Sequence, residues 1–457
     1  MKKQILLSTA ILLLSFLTVK AQLTTIHTFN GSDGSYSLCE LVQNGSYIYG
    51  GTTSGGTNDK GVIFKINLDD NSYTKIIDLS SSNGESLSSL LNVGDYIYGT
   101  TLFGGTSNEG VLFKISKNDD TFTKIKDFES STSGRNPTIT ATDGTYIYGT
   151  TQMGGDNNHG TIFKIKINSD TYTKIHDFGT VTGYYPWHSL VSEGNVLYGT
   201  TLTGGQNGRG TLFKIDKDGN NFSVLHAFGS NNDGKDLEGT LLISGDYIYG
   251  TTQSGGDSNN GTIFKLNKSN TSDYSYSSFN WSNGATPKCG LIEVNNILYG
   301  TASQGGADDV GNIFTVTKNN LVITDIYDFD GTDGSDPEAP LVRAGGYLYG
   351  TTNIGGDNDK GTVFKYDAGF ASVNNIKTNS VTVLPNPATN SINIKFPENN
   401  NYNISLLTVS GKEIAKFNAK NSDFYKINIE KLPAGIYFIT TQNINSGKTE
   451  NLKFIKK

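Results

Sequence analysis

Four sets of side chains in this chain have types and spacings that could do chemistry. The first is a glycine-rich loop in Leu197–Asp216, LYGTTLTGGQNGRGTLFKID. A phosphate cradle needs a strand before such a loop and a helix N-terminus after it. Here Thr211-Leu212-Phe213-Lys214-Ile215 follows, which alternates like a strand, and no Lys-Ser/Thr pair closes the loop. Gly and Asn supply the positive-φ positions of a β-hairpin turn, and a hairpin is the expectation. The second set is acidic loop residues such as Asp257 and Asp357–Asp359. Calcium takes six or more oxygens, so these offer weak binding at most and read as solvated turns, with no metal or cofactor expected.

The third set is Gly183-Tyr184-Tyr185-Pro186-Trp187-His188, where clustered aromatic rings could stack on a sugar or grip a peptide. The fourth comprises Glu40, Glu238 and Glu338, from which a carboxylate pair for glycoside chemistry could come if the fold set them at the right separation. Three of the five histidines, His27, His176 and His226, share one repeat position, leaving His159 and His188 outside that pattern. Cys39 and Cys289 form no framework of paired cysteines.

The elements that position these groups are legible from internal repetition. A Tyr-Gly pair recurs with its glycine at 50, 99, 149, 199, 250, 300 and 350. A Gly-Gly pair begins five residues later each time, and a Phe follows at 64, 113, 163, 213, 264, 314 and 364. Each unit reads as four short strands; in the fourth copy these are 189–191, 195–201, 210–216 and 222–228. Residues on both faces of the second strand are apolar or small, so the sheets must be sandwiched between neighbours, as in a ring of radial blades. The last unit lacks its fourth strand after Phe364, while Ile26-His27-Thr28-Phe29 is a surplus copy of it at the other end. The expectation is an all-β, seven-bladed β-propeller closed by its N-terminal strand.

The recurring L-Y-G-T-T-x-x-G-G-x-x-x-x-G-T-x-F resembles the GloVer tandem repeat of secreted and surface bacterial proteins, over residues 23–367. That resemblance implies a propeller-like repeat and says little about activity.

Among near-identical blades, specificity must come from positions where copies differ. Fourteen residues before each repeat glycine stand Tyr36, Glu85, Arg135, Tyr185, Asp236, Thr286 and Asp336. Twelve before stand Leu38, Leu87, Pro137, Trp187, Glu238, Lys288 and Glu338. With the first strand innermost, these ring one mouth of the channel, and Tyr184, Tyr185, Trp187, His188, Tyr36 and Glu238 are the candidate ligand-binding residues. No catalytic residue is assigned. The ring order also separates Cys39 from Cys289 by a blade, beyond disulfide reach.

Residues 371–380 are a polar linker, after which the period stops and the charge reverses. Residues 22–380 carry a net −15 and residues 381–457 a net +5. The acidic body excludes nucleic acid as a partner, which would need a basic face. In the tail, strands are expected at 392–396, 402–408, 412–417, 424–429, 435–441 and 448–455, making a small Ig-like β-sandwich. Pro385-Asn386-Pro387, Gly411-Lys412, Pro433-Ala434-Gly435-Ile436-Tyr437 and the closing Lys453, Lys456 and Lys457 resemble the type A C-terminal sorting domain of the type IX secretion system. The resemblance implies handling by that machinery in a Bacteroidota-type bacterium. It also implies surface display or release.

Lys2 and Lys3 followed by an apolar run to Leu17 read as a signal peptide cleaved after Ala21. The expected organisation is a signal peptide over 1–21, a propeller over 22–370, a linker over 371–380 and a sorting domain over 381–457. The expected protein is a monomer without a transmembrane helix in its mature form, reaching the surface through the periplasm. It binds an extracellular glycan or protein without catalysis; the rival is a hydrolase or lyase acting on polysaccharide.

Overall fold

The computed structural model describes residues 23–369 and 381–457 except 188, 189, 231, 385, 386, 410 and 448; at 382, 384, 397, 398 and 451 it describes the backbone alone. The signal segment, the linker, His188, Pro385 and Asn386 therefore lie outside the described residues. The described residues contain strands and turns but no helix, and they fall in two compact units divided at 370/371.

The first unit is built of four-stranded antiparallel sheets, seven among the described residues. The fourth is Val191–Glu193, Val196–Thr201, Thr211–Asp216 and Ser223–Ala227, hydrogen-bonded in that order. Its first strand begins at Val191, whereas the expected start at 189 lies outside the described residues. The seventh sheet takes Val342–Ala344, Tyr347–Thr352 and Thr362–Tyr366 from the C-terminal end of the unit and Leu23–Thr28 from its beginning. Leu23 pairs with Tyr366 and Thr28 with Thr362.

Consecutive sheets share apolar cores of one recurring composition. Each interface joins the repeat tyrosine of one sheet to the repeat phenylalanine of the next: Tyr148 with Phe213, Tyr198 with Phe264, Tyr299 with Phe364. The pair that completes the series joins Tyr349 of the seventh sheet to Phe64 of the first. The order of contacts is thus cyclic and the unit is propeller-like. Polar bridges follow the same cycle: the Thr140 hydroxyl donates to Leu190 O at 2.8 Å, and the Thr351 hydroxyl donates to Ser37 O at 3.2 Å.

The glycine loop is a hairpin tip. Gly204 and Gly205 take φ of 85° and 72°, and the loop is tied at its base by the facing hydroxyls of Thr201 and Thr211, 2.9 Å apart. Asp359 closes the equivalent turn of the seventh sheet by accepting Gly355 N–H at 3.0 Å, so this carboxylate has a local backbone partner.

The second unit is one five-stranded antiparallel sheet: Thr382–Leu384, Ser391–Thr408, Glu413–Asn428, Gly435–Asn443 and Thr449–Lys456. Two pairs of expected strands run on as two long ones: the ladder breaks between Lys395 and Asn400, shifts again before Tyr402, and resumes on both sides of this bulged stretch. Ile392, Ile394, Ile404, Ile427, Ile439 and Phe454 form its core.

Candidate functional site

In five sheets of the first unit a kinked segment precedes the first strand, and in the second and third the same segment opens that strand, Glu85–Val93 and Arg135–Thr142. The residue fourteen before the repeat glycine adopts left-handed backbone in five sheets, with φ of 59° at Tyr36, 59° at Tyr185, 61° at Asp236, 55° at Thr286 and 55° at Asp336. In the other two sheets the conformation falls one residue later, at Ser86 and Asn136. Such backbone is costly for side chains bearing a Cβ and persists only when its surroundings hold it. Here the freed N–H groups bond the preceding sheet's hairpin: Tyr36 N–H to Lys360 O at 3.1 Å, Tyr185 N–H to His159 O at 3.1 Å, Thr286 N–H to Asn260 O at 2.8 Å. The kink aims the following residues at the middle of the ring.

A cavity of about 230 Å³ results, to which all seven sheets contribute. Residues twelve before the repeat glycine line it in six of them: Leu38, Leu87, Trp187, Glu238, Lys288 and Glu338. Residues three after that glycine line it as well, through Thr53, Leu102, Gln152 and Leu202. Glu40 and Thr140 complete the first and third sheets' shares.

The lining is divided. Sheets five, six, seven and one bring Glu238, Lys288, Glu338 and Glu40, with Leu38 beside them, whereas sheets two and four bring Leu87, Leu102, Trp187 and Leu202, together with Ser88 and Ser89. Lys288 and Glu338 form a short salt bridge across adjacent sheets. Burial works against the charged form of Lys288, but the Glu338 carboxylate outweighs it and holds the ammonium above the ordinary lysine value. Burial, reinforced by the charge of Asp336, pushes Glu338 up to about 7. Burial alone pushes Glu40 up to about 7, and no side chain hydrogen-bonds its carboxylate among the described residues. Glu238 is also raised by burial, against the pull of Lys288.

Of the residues expected to bind ligand, Trp187 and Glu238 line the cavity. Tyr36, Tyr184 and Tyr185 are not among the lining residues. The Tyr36 ring lies under the Lys360 ammonium at 5.4 Å, and Tyr184 stacks on His159 with ring centroids 4.9 Å apart. Tyr185 meets Tyr184 edge-on at 5.0 Å. His27 and His226 stack on Tyr73 and Tyr274 of the next sheet and meet Asp33 and Asp233 at 3.2 and 2.7 Å, an outer-strand packing role. The column three after the repeat glycine was not singled out in the sequence, although its variation from Thr53 to Leu102 to Gln152 is the same signal that marks the upstream segment.

Four overlapping stretches, 13–146, 86–246, 137–301 and 231–393, match the Gloeobacter/Verrucomicrobia repeat. The chain belongs to this repeat family. Residues 382–457 match the secretion system C-terminal sorting domain, so this member of the family carries a type IX sorting tail and is a secreted or cell-surface protein. In that tail Tyr437 donates its hydroxyl to Pro433 O at 2.9 Å, and Gly435 pairs with Lys456. Gly411 makes the turn after Thr408 with φ 81°, and Lys412 N–H reaches the Thr408 hydroxyl at 3.1 Å. Lys453 and Lys456 lie on the last strand, whose Phe454 is buried, and Lys457 follows it.

A comparison with curated proteins finds no match. Among solved structures, PorZ of Porphyromonas gingivalis, described as an essential bacterial surface component of the type-IX secretion system, is similar at 14% identity and TM-score 0.48 over 92% of this chain. The chain spans 59% of the length of that protein. The polysaccharide lyase Uly1 is similar at 8% identity and TM-score 0.48, over 72% of this chain and 89% of its own. A putative 6-phosphogluconolactonase of Bacteroides fragilis is similar at 15% identity and TM-score 0.44, over 66% of this chain and 85% of its own. No helix of the described residues is long and apolar enough to cross a membrane.

Proposed function

We propose that this repeat-family member is a seven-bladed propeller, exported through the periplasm by the type IX machinery, that binds an extracellular glycan or protein in its central channel without catalysis. The observation that carries the reading is the divided cavity: a repeat that keeps Tyr, Gly and Phe in every copy places Leu, Trp, Glu or Lys at one lining position, depending on the copy. Structural demands alone would leave those positions as uniform as the Tyr-Gly pair. Concave sites with an apolar wall and a few converging polar groups are the usual form of ligand pockets. The cyclic contact order supports seven blades, and the lysine-led apolar N-terminus supports a signal peptide.

The hydrolase or lyase reading draws on Glu40 and Glu338, since carboxyls raised to about 7 by burial suit a general acid. A glycan and peptide array on the purified chain, followed by a turnover assay on every hit, separates the two. Saturable binding with intact ligand is the expected result. Bond cleavage that is lost in Glu338→Gln or His188→Ala overturns binding without catalysis.

A further inference from the structure

The channel lining has an unbalanced charge that its own side chains do not resolve. Three carboxyl groups, Glu40, Glu238 and Glu338, share one ammonium, that of Lys288. Lys288 shows what this arc accepts: its ammonium pairs with Glu338 and feels the charge of Glu238 on the other side. Glu40, on the first sheet and next to Glu338 in the ring, has no such partner among the described residues. An anion confined between protein walls gains most from a cation that enters with it.

The opposite arc specifies what must carry that cation. Leu87, Leu102, Leu202 and the Trp187 ring offer mainly carbon surface, interrupted by Ser88, Ser89 and Gln152. A pyranose would set hydroxyls against Leu87, Leu102 and Leu202, and each one left unpaired there is costly. A methylene stem ending in an ammonium satisfies both arcs, as long basic side chains do when they lay their stems on apolar surface. The cavity, about 230 Å³, has room for one extended side chain and not for a folded segment.

We infer that the channel captures a primary ammonium on an aliphatic stem, presented as a lysine side chain of an extracellular protein, with Glu40 and Glu238 receiving the ammonium and the leucine–tryptophan arc receiving the stem. This rests on the binding reading above and names its ligand class.

Calorimetric titration of the full chain with Nα-acetyl-lysine methylamide tests it. Saturable binding is expected, abolished when the probe's Nε is acetylated and weakened about tenfold or more in Glu40→Gln, which removes one charge-assisted contact. Glu238→Gln provides a second variant should the first fail to fold, and the unfolding midpoint of each is measured alongside. Equal binding of the Nε-acetylated probe, or no binding of the lysine probe, overturns the inference. Glucosamine bound as tightly as the lysine probe overturns it as well, by putting the ammonium on a sugar. Tighter binding of n-pentylamine than of the lysine probe assigns the site to a free amine and overturns the protein-borne form. Failure of the lysine probe while an array ligand still binds leaves the channel a binding site and refutes only its ligand class; cleavage of a ligand refutes the binding reading itself.

Discussion

Gly199 and Phe213 sit directly opposite each other on neighbouring strands of the fourth sheet, and the phenyl ring lies over the glycine. A Cβ built on Gly199 would stand 2.5 Å from Phe213 Cζ and 2.9 Å from Leu190 Cδ2. The same relationship recurs at Gly50 with Phe64 and Gly350 with Phe364. The missing side chain thus makes room for a ring of its own sheet, which then packs against the tyrosine of the preceding sheet. Gly199→Val should destabilise the first unit by ~1–3 kcal/mol or more through overpacking. Thermal unfolding measures it, and an unchanged midpoint would count against this packing.

Closure of the ring depends on residues 23–29, which complete the seventh sheet and bury Phe29 entirely. Deleting them should abolish the cooperative unfolding transition and expose the Thr362–Tyr366 edge to aggregation. A truncated chain with the full-length transition would refute the clasp.

Glu40 and Glu338 make stability depend on pH in an unusual direction. Both are held near 7 in the fold against an ordinary 4.5. A carboxyl raised by folding favours the folded state below its unfolded value and loses that contribution as pH climbs through the folded one. Stability should therefore fall between pH 4.5 and 7 on account of these groups. Glu40→Gln should flatten the dependence and gain roughly 1–3 kcal/mol at pH 8, after allowance for water in the channel. Denaturant titrations at pH 5 and pH 8 report it; an identical loss in wild type and variant would show that Glu40 does not titrate there.

Trp187→Ala should weaken ligand binding about tenfold while leaving the unfolding midpoint within a few degrees, because large aromatic side chains in pockets carry much of the binding energy. Binding isotherms on an array-identified ligand decide it; unaltered affinity would place the ligand elsewhere.

The last strand of the tail pairs with Gly435–Asn443 along its whole length. Removing residues 448–457 should leave the chain in the periplasm and off the cell surface. Fractionation with surface proteolysis reads the outcome, and normal surface display would refute a role for this strand in sorting.

The repeat itself, the strands around Tyr-Gly and Gly-Gly, and the misplaced N-terminal copy of the fourth strand were all legible in one dimension. They obey local rules: a period, an alternation, a turn that needs glycine. Trp187 and Glu238 could be singled out for a related reason, as departures from a periodic background. What convergence requires was not legible. Tyr184 and Tyr185 neighbour Trp187 in the chain, yet His159 claims Tyr184, while the left-handed kink at Tyr185 sends Trp187 to the channel. In the tail, local turn chemistry at 397–401 and 418–423 yielded to pairing between two long strands, because the ladder resumes on both sides of the bulged stretch. The sequence alone determined the unit, its sevenfold count and the strand left over for closure, because each is set by neighbours in the chain. Only the tertiary structure decided that Glu40, Glu238, Lys288 and Glu338 share one arc and Leu87, Leu102 and Leu202 the other, because that depends on where a ring brings residues 50 to 300 positions apart.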